Sequence, residues 1–237
     1  MFRTAIKAFD RLIDRIVFIA SLLFLLICFY AMLDAVITYY NANDTSILKY
    51  KPTGSIDASK LEKLSKDAVA WIKVDNTNIN YPIMQGKDNS EYLNKNPQGE
   101  YSLSGSIFLD CNCDGNFKDD YSLLYGHHME YGMMFGSLDK YIKPNYFKTH
   151  QHGKLITKKG DEYNITFFAS IKANATEKII FDTVNENNVK LLDYLKRNAL
   201  IFKQPYDKKL HIIALSTCQS ANNIERMIVI GFMKEVS

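Results

Sequence analysis

Apolar and polar positions divide the chain into two unlike parts. From Ile16 to Leu33 the sequence IVFIASLLFLLICFYAML carries no charge and has no polar face. About 20 apolar residues cross a bilayer as a helix, so this run predicts a membrane-spanning segment. Leu12 and Ile13 extend it on one side, and Ala35 to Tyr40 on the other, beyond Asp34. A cleaved leader has a shorter apolar stretch that ends in small residues, and a soluble amphipathic helix keeps a polar face. This run ends FYAMLDAV and matches neither. Arg3, Lys7, Arg11 and Arg15 precede it, whereas Asp34 and Asp44 follow. The positive-inside bias then puts the N-terminus in the cytoplasm and the remainder outside the cell.

The second part alternates between short strand-like runs and turn signals. WIKVDNTNINYPIM reads as strand, Asn-rich turn and strand. GSIFLD, YSLLYGHHM, KLITKKGDEYNITFFASIKA, KLHIIALSTC and RMIVIGFM are rich in β-branched and aromatic residues. Lys159-Gly160-Asp161 suits a hairpin turn. A short helix is expected through KLEKLSKDAVAW, where Leu61, Leu64, Ala68 and Trp71 fall at helical spacing and Asp57 or Ser59 is placed to cap. Further helical segments are expected near Phe135 to Tyr141 and over Glu186 to Leu200, the latter with a stripe of Val189, Leu192, Leu195 and Ala199. Many short strands with few helices predict a mainly β fold, a closed antiparallel β-barrel with helical insertions, preceded by one N-terminal transmembrane helix.

Charge narrows the partners. The formal net charge is +3 over 237 residues, with Lys and Asp/Glu intermixed. No basic stripe of the kind that follows a phosphate backbone is present, which argues against nucleic acid. The four cysteines, Cys28, Cys111, Cys113 and Cys218, are scattered and form no disulfide framework. Cys28 lies in the apolar run, and a bridge between Cys111 and Cys113 would be strained. DCNCDGNFKDDY at 110–121 begins like a calcium loop but ends on Tyr121, where a bidentate Glu is required, so it reads as a solvated loop. Cys111 and Cys113 lack the second pair a zinc site needs.

Cys218 remains. If KLHIIALSTC is a strand, Ile212, Ala214, Ser216 and Cys218 share one face. The next strand opens at Arg226, and an antiparallel hairpin would set Arg226 beside Cys218 at about 5 Å between Cβ atoms. His127 and His128 end YSLLYGHHM, with Tyr125 and His127 pointing one way. A cysteine thiol becomes a nucleophile when a His or a positive field supports its thiolate, and an Arg can stabilise an oxyanion. Spacing alone does not bring His127 to Cys218. A buried core cysteine and a surface Arg are the alternatives for each residue taken singly.

Taken together, YGHHM at 125–129, LSTCQS at 215–220 and the Arg226 that opens RMIVIG resemble the sortase family. INYPIMQGKDNSEYL, GSIFLD and the helix near 186–200 resemble class B sortases in particular. The resemblance implies a barrel of about eight strands over residues 58–237 as the sortase catalytic domain. Residues 1–11 would be the cytoplasmic N-terminus, 12–37 the transmembrane anchor and 38–57 a tether. It implies His127, Cys218 and Arg226 as catalytic residues and Asn89, Leu93, Tyr125 and Ser216 as substrate-binding residues. Many class B members carry an acidic residue after the Cys. Here it is Gln219, whose backbone N–H is expected at the oxyanion hole.

The implied reaction is cysteine transpeptidation without cofactor or metal. Its partners would be secreted proteins bearing a C-terminal sorting motif, with an amine of peptidoglycan or its lipid-linked precursor as acceptor. The alternatives are a Cys-dependent peptidase or amidase that uses water, and a pilin-type sortase. An L,D-transpeptidase would place its His and Cys in one local signature, unlike His127 and Cys218. A non-enzymatic tethered β domain would carry an inert Cys218.

Overall fold

The structure, a computed structural model, describes residues 2–42, 45–54, 57–185, 187–205, 211–218 and 224–236. Two compact units result, Met1–Asn41 and Ala42–Ser237. The first is a single helix, α1 (Phe2–Ala42). At 1.5 Å per residue it is about 60 Å long, twice the roughly 30 Å hydrocarbon core of a bilayer. Its large apolar side chains, among them Phe18, Phe24, Leu25 and Ile27, are exposed, so it is long and apolar enough to cross a membrane.

The second unit is a closed eight-stranded barrel. Its strands are β1 (Ala68–Val74), β2 (Asn80–Met84), β3 (Ile107–Leu109), β4 (Tyr121–His127), β5 (His152–Thr157), β6 (Glu162–Asn174), β8 (His211–Cys218) and β9 (Glu225–Glu235). The order β5-β1-β2-β3-β4-β8-β9-β6 closes through a β5–β6 pairing, while the two-residue β7 (Ile201–Phe202) extends β6 on one side. The predicted barrel is therefore present. Its ring is not uniformly antiparallel, because β2–β3 and β4–β8 pair in parallel. A parallel neighbour requires a long crossover. The chain between β4 and β8 supplies one through β5, β6 and three short helices: α3 (Pro144–Thr149), α4 (Lys178–Phe181) and α5 (Asn188–Asn198).

Alternation sorts the side chains into an interior and an outer layer. Ile72, Ile83, Ile107, Leu124, Phe135, Leu155, Ile165, Ile213, Leu215 and Val229 fill the barrel. On the outside, Tyr121, Leu123, Ile212, Ala214, Ile228 and Ile230 pack beneath Ile180, Leu191 and Leu195 of α4 and α5. A second outer cluster joins Ile47, Leu61, Trp71, Met84, Tyr92 and Phe108. Part of the segment expected as a tether thus packs on the body, through Ile47 and through a Lys51 Nζ to Asn80 Oδ1 hydrogen bond of 2.8 Å.

Two helix expectations change. The helix through KLEKLSKDAVAW is only α2 (Lys60–Leu64), and Ala68 and Trp71 belong to β1. Hydrogen bonding to both β2 and β5 wins over the local helical spacing there. Ser59 occupies the N-cap position without a side-chain bond, and Asp57 instead binds Thr53, Gly54 and Lys60. In α5 the buried positions are Leu191 and Leu195, whereas Val189 is 71% exposed. Asn187 caps that helix through Lys190 N at 2.9 Å, and Glu186 lies outside the described residues. The Phe135–Tyr141 segment forms a 3-10 turn over Gly136–Ile142, and the hairpin at Gly160 joins β5 to β6.

Candidate active site

Strands β4 and β8 end together. Their parallel register runs from Tyr121 opposite Ile212 to His127 opposite Cys218. Adjacent strands lie about 4.8 Å apart, so this pairing makes neighbours of two residues remote in sequence. Both follow the parity of the outer layer: Leu123 and Tyr125 precede His127, and Ile212 and Ala214 precede Cys218 on that face.

The motif residues beside them have packing reasons. Gly126 points into the barrel, where a Cβ would lie 2.4 Å from Ile107 Cδ1 and 2.8 Å from the Phe135 ring. Only glycine lets β4 run straight through to His127 at that point. Thr217 also points inward, and its Oγ1 accepts a 3.1 Å bond from Met227 N. The β8–β9 register runs to Ser216 opposite Ile228, and its continuation sets Cys218 against Arg226. Arg226 Nη1 donates to the Thr217 carbonyl at 3.1 Å, which holds the guanidinium close enough to Cys218 for its charge to act on the thiol. The hairpin expected from sequence thus brings these two together.

Burial pushes the Cys218 thiol above its ordinary value of 9.0, while the Arg226 charge, its hydrogen bond and a backbone bond at Gly126 oppose that shift without cancelling it. His127 Nε2 lies 2.7 Å from the Leu93 carbonyl oxygen. A carbonyl only accepts, so Nε2 carries the proton and a neutral imidazole keeps Nδ1 as its basic nitrogen.

The loop that presents this carbonyl is built by Asp88. Its Oδ1 accepts from Ser90 N at 2.8 Å and from Glu91 N at 3.0 Å. Tyr92 is buried and donates to Asp67 Oδ2 at 2.9 Å, and Ser106 N closes onto the Tyr92 carbonyl at 3.0 Å. The orienting role belongs to the backbone of Leu93, a group no side-chain motif encodes.

The four residues expected to bind substrate sit differently from one another. Tyr125 is half-buried, touches both outer clusters and packs its ring 5.3 Å from Phe108. Its phenol donates to Asp110 Oδ2 at 3.1 Å. Burial, Asp110 and the Cys218 sulfur all raise its pKa. Leu93 is half-buried beside it in the second outer cluster. Ser216 is fully buried and bonds the Thr217 carbonyl at 3.3 Å. Asn89 is engaged at both ends: Nδ2 donates to Asp110 Oδ2 at 2.7 Å and Oδ1 accepts from Cys111 N at 2.8 Å. One N–H and one lone pair remain for a ligand. Gln219 lies outside the described residues.

The 110–121 segment is not simply a solvated loop. Asp110, Cys113 and Phe117 are buried, because Asp110 gathers donors from other elements and the other two enter the barrel core. Burial pushes the Cys113 thiol up to about 12. Among the described residues no group of three or more His, Cys, Asp or Glu is arranged to hold a metal.

A cysteine, a histidine opposite it and an arginine on the next strand, at one end of an eight-stranded barrel, are the groups that cysteine acyl transfer uses. The Sortase domain family matches residues 72–234, and the chain belongs to that family of cysteine transpeptidases. Its relatives are class B sortases. Sortase B of Staphylococcus aureus is 34% identical over 182 residues, 75% of this chain and 74% of that one. A Staphylococcus aureus sortase B–substrate complex superposes with a TM-score of 0.72 at 32% identity, covering 81% of this chain and 90% of that one. A Streptococcus pyogenes class B sortase involved in pilus biogenesis does so with a TM-score of 0.68 at 36% identity, covering 73% and 96%.

Proposed function

We propose that the chain is a membrane-anchored transpeptidase. It cleaves a C-terminal sorting motif after Thr and transfers the new carboxyl end to a peptidoglycan amine. The observation that carries this reading is the register that sets His127 opposite Cys218, with Arg226 near the start of the adjoining strand.

The Cys218 thiol gives its proton to His127 as sulfur adds to the Thr carbonyl. The carbonyl oxygen becomes an oxyanion, which the Arg226 guanidinium stabilises. The tetrahedral adduct collapses, the C–N bond breaks, and His127 returns the proton to the departing amine. A thioester between Cys218 and the Thr carbonyl is left. An amine then adds to that carbonyl and loses a proton to His127. The C–S bond breaks, and the thiolate recovers the proton as the new amide leaves. Donation of Nε2–H to Leu93 keeps one tautomer through both halves, the part a buried carboxylate plays in a Ser-His-Asp triad.

Residues 12–37 would hold the enzyme in the membrane with residues 1–11 in the cytoplasm. Residues 38–57 would lead to a catalytic domain, 58–237, on the outer face, where secreted substrates and wall precursors meet. The test is cleavage of a fluorogenic sorting peptide with and without a glycine-peptide acceptor. Cys218→Ala should abolish cleavage, whereas Cys111→Ala should keep most of it, and the acceptor should appear in the product. Retained cleavage by Cys218→Ala would overturn the mechanism. Product that contains only water-derived carboxylate would make the enzyme a hydrolase.

A further inference from the structure

Asp110 follows β3 directly and is 2% exposed. Among the described residues it forms no ion pair. A buried carboxylate with no cation is costly to keep unless donors surround it. Five do. Oδ1 accepts from Asn112 N at 3.0 Å, Asn112 Nδ2 at 3.1 Å and Thr183 Oγ1 at 3.1 Å. Oδ2 accepts from Asn89 Nδ2 at 2.7 Å and the Tyr125 hydroxyl at 3.1 Å.

The two Asn112 bonds only shape the local turn. The other three reach three different segments around the β3 end. Asn89 lies on the loop that goes on to Leu93 and His127's carbonyl partner. Tyr125 lies on β4, two residues before His127, and its register partner Ser216 is two before Cys218. Thr183 lies on the connection between α4 and α5, the cover of the outer layer. The Cys111 N to Asn89 Oδ1 bond closes the ring at 2.8 Å. One carboxylate therefore joins the 89–93 loop, β4 and the α4–α5 connection.

We propose that Asp110 is a positioning residue for peptide binding. Its carboxylate fixes the Tyr125 hydroxyl and holds the Thr183 segment against the β3 end, and so sets the shape of the groove that leads to Cys218. This rests on the reading of Cys218 as the peptide-cleaving nucleophile. Because the Tyr125 proton is committed to Asp110, its free lone pairs are what it offers a peptide, and an N–H or amide NH2 donor is the complementary group. The groove position next to Tyr125 is thus selective for a donor-bearing side chain.

Asp110→Asn keeps the shape but sets an amide N–H against existing donors, and Thr183→Val removes one bond only. The full chain in detergent is assayed for kcat and KM on a sorting peptide, and for the rate at which iodoacetamide alkylates Cys218, a reaction that needs no groove. A hydrogen bond to a charged group carries about tenfold in an equilibrium, so Asp110→Asn should raise KM by about tenfold or more and Thr183→Val by several-fold. The alkylation rate should stay as in wild type, and kcat should change far less than KM. An unchanged KM in a folded Asp110→Asn chain would overturn the proposal. If that variant melts early, Thr183→Val decides alone: an unchanged KM, or a fall in kcat and alkylation together, would overturn it. Cleavage that persists in Cys218→Ala would instead remove the underlying reading, and the same assay shows it separately.

Discussion

Gly105 stands directly behind the Leu93 carbonyl. A Cβ at Gly105 would lie 2.4 Å from that oxygen and 2.7 Å from the Tyr92 oxygen, and the glycine has φ +58°. The same Leu93 oxygen accepts from His127 Nε2 at 2.7 Å. A side chain at position 105 therefore pushes on the group that orients the catalytic imidazole, although it touches neither His127 nor Cys218.

Gly105→Ala should for that reason act on catalysis more than on the fold. A left-handed backbone costs a non-glycine residue about 1–2 kcal/mol. Moving an orienting group by about 1 Å can cost about 10²-fold in rate. The expected result is a kcat loss of at least about tenfold with a modest fall in melting temperature and unchanged alkylation of Cys218. Wild-type kcat in Gly105→Ala would show that the Leu93 bond does not matter to turnover.

The proposed mechanism gives Arg226 two separable tasks, thiolate support and oxyanion binding. Burial holds the Cys218 pKa above 9.0 against the pull of Arg226. The thiolate, the reactive form, should therefore be the minor form at neutral pH and grow about tenfold per pH unit below the folded pKa. Alkylation of wild type should rise with that slope from about pH 6 to 9 and show no plateau near 7. Arg226→Ala removes the lowering influence, so its curve should shift to higher pH. Arg226→Lys keeps the charge but loses the planar fork, so alkylation should stay near wild type while turnover falls about 10²–10³-fold. A flat alkylation profile across neutral pH would mean a resting thiolate–imidazolium pair, and near-normal turnover in Arg226→Lys would remove Arg226 from the oxyanion site.

Much of this site was legible because strand parity is a strict rule. Ile212, Ala214 and Cys218 alternate onto one face, and the short connection to Arg226 predicts the hairpin that joins them. The His127–Cys218 pairing was not legible from spacing, since a parallel register between β4 and β8 depends on everything packed between them. Leu93 was expected among the substrate-binding residues, yet its contact with His127 is through a main-chain oxygen, which side-chain identity does not report. Asp110 read as the start of a solvated loop because Asp near Asn and Gly is ordinary turn chemistry. Its partners Tyr125 and Thr183 are brought in by tertiary folding. Ala68 and Trp71 misled in the opposite direction, with helical spacing overridden by two strand neighbours.

The proposed membrane topology has a direct test. Protease added outside intact protoplasts should degrade the body, while an epitope placed before Arg3 should survive until the membrane is opened. The basis is the cluster Arg3, Lys7, Arg11 and Arg15, which precedes the apolar run in the sequence. A protected body with an accessible N-terminal epitope would reverse the orientation.

Substrate choice gives the last prediction. The α4–α5 connection carries Thr183, whose bond to Asp110 reaches the phenol of Tyr125 beside Cys218. Tyr125 has lone pairs to offer, and Asn89 keeps one N–H and one lone pair after its two protein bonds. A polar first residue in the sorting motif can use these groups, whereas a leucine leaves them unpaired at about 1–3 kcal/mol each. Cleavage after Thr in an Asn-Pro-x-Thr peptide should therefore exceed cleavage of a Leu-Pro-x-Thr-Gly peptide by about tenfold or more in kcat/KM. Tyr125→Phe should narrow that gap by raising KM for the Asn peptide and leaving the Leu peptide nearly unchanged. The comparison needs both peptides, wild type and Tyr125→Phe, with mass spectrometry to locate the cut. A preference for the Leu peptide would contradict a polar first subsite, and a gap that Tyr125→Phe leaves intact would mean that the discrimination comes from another residue.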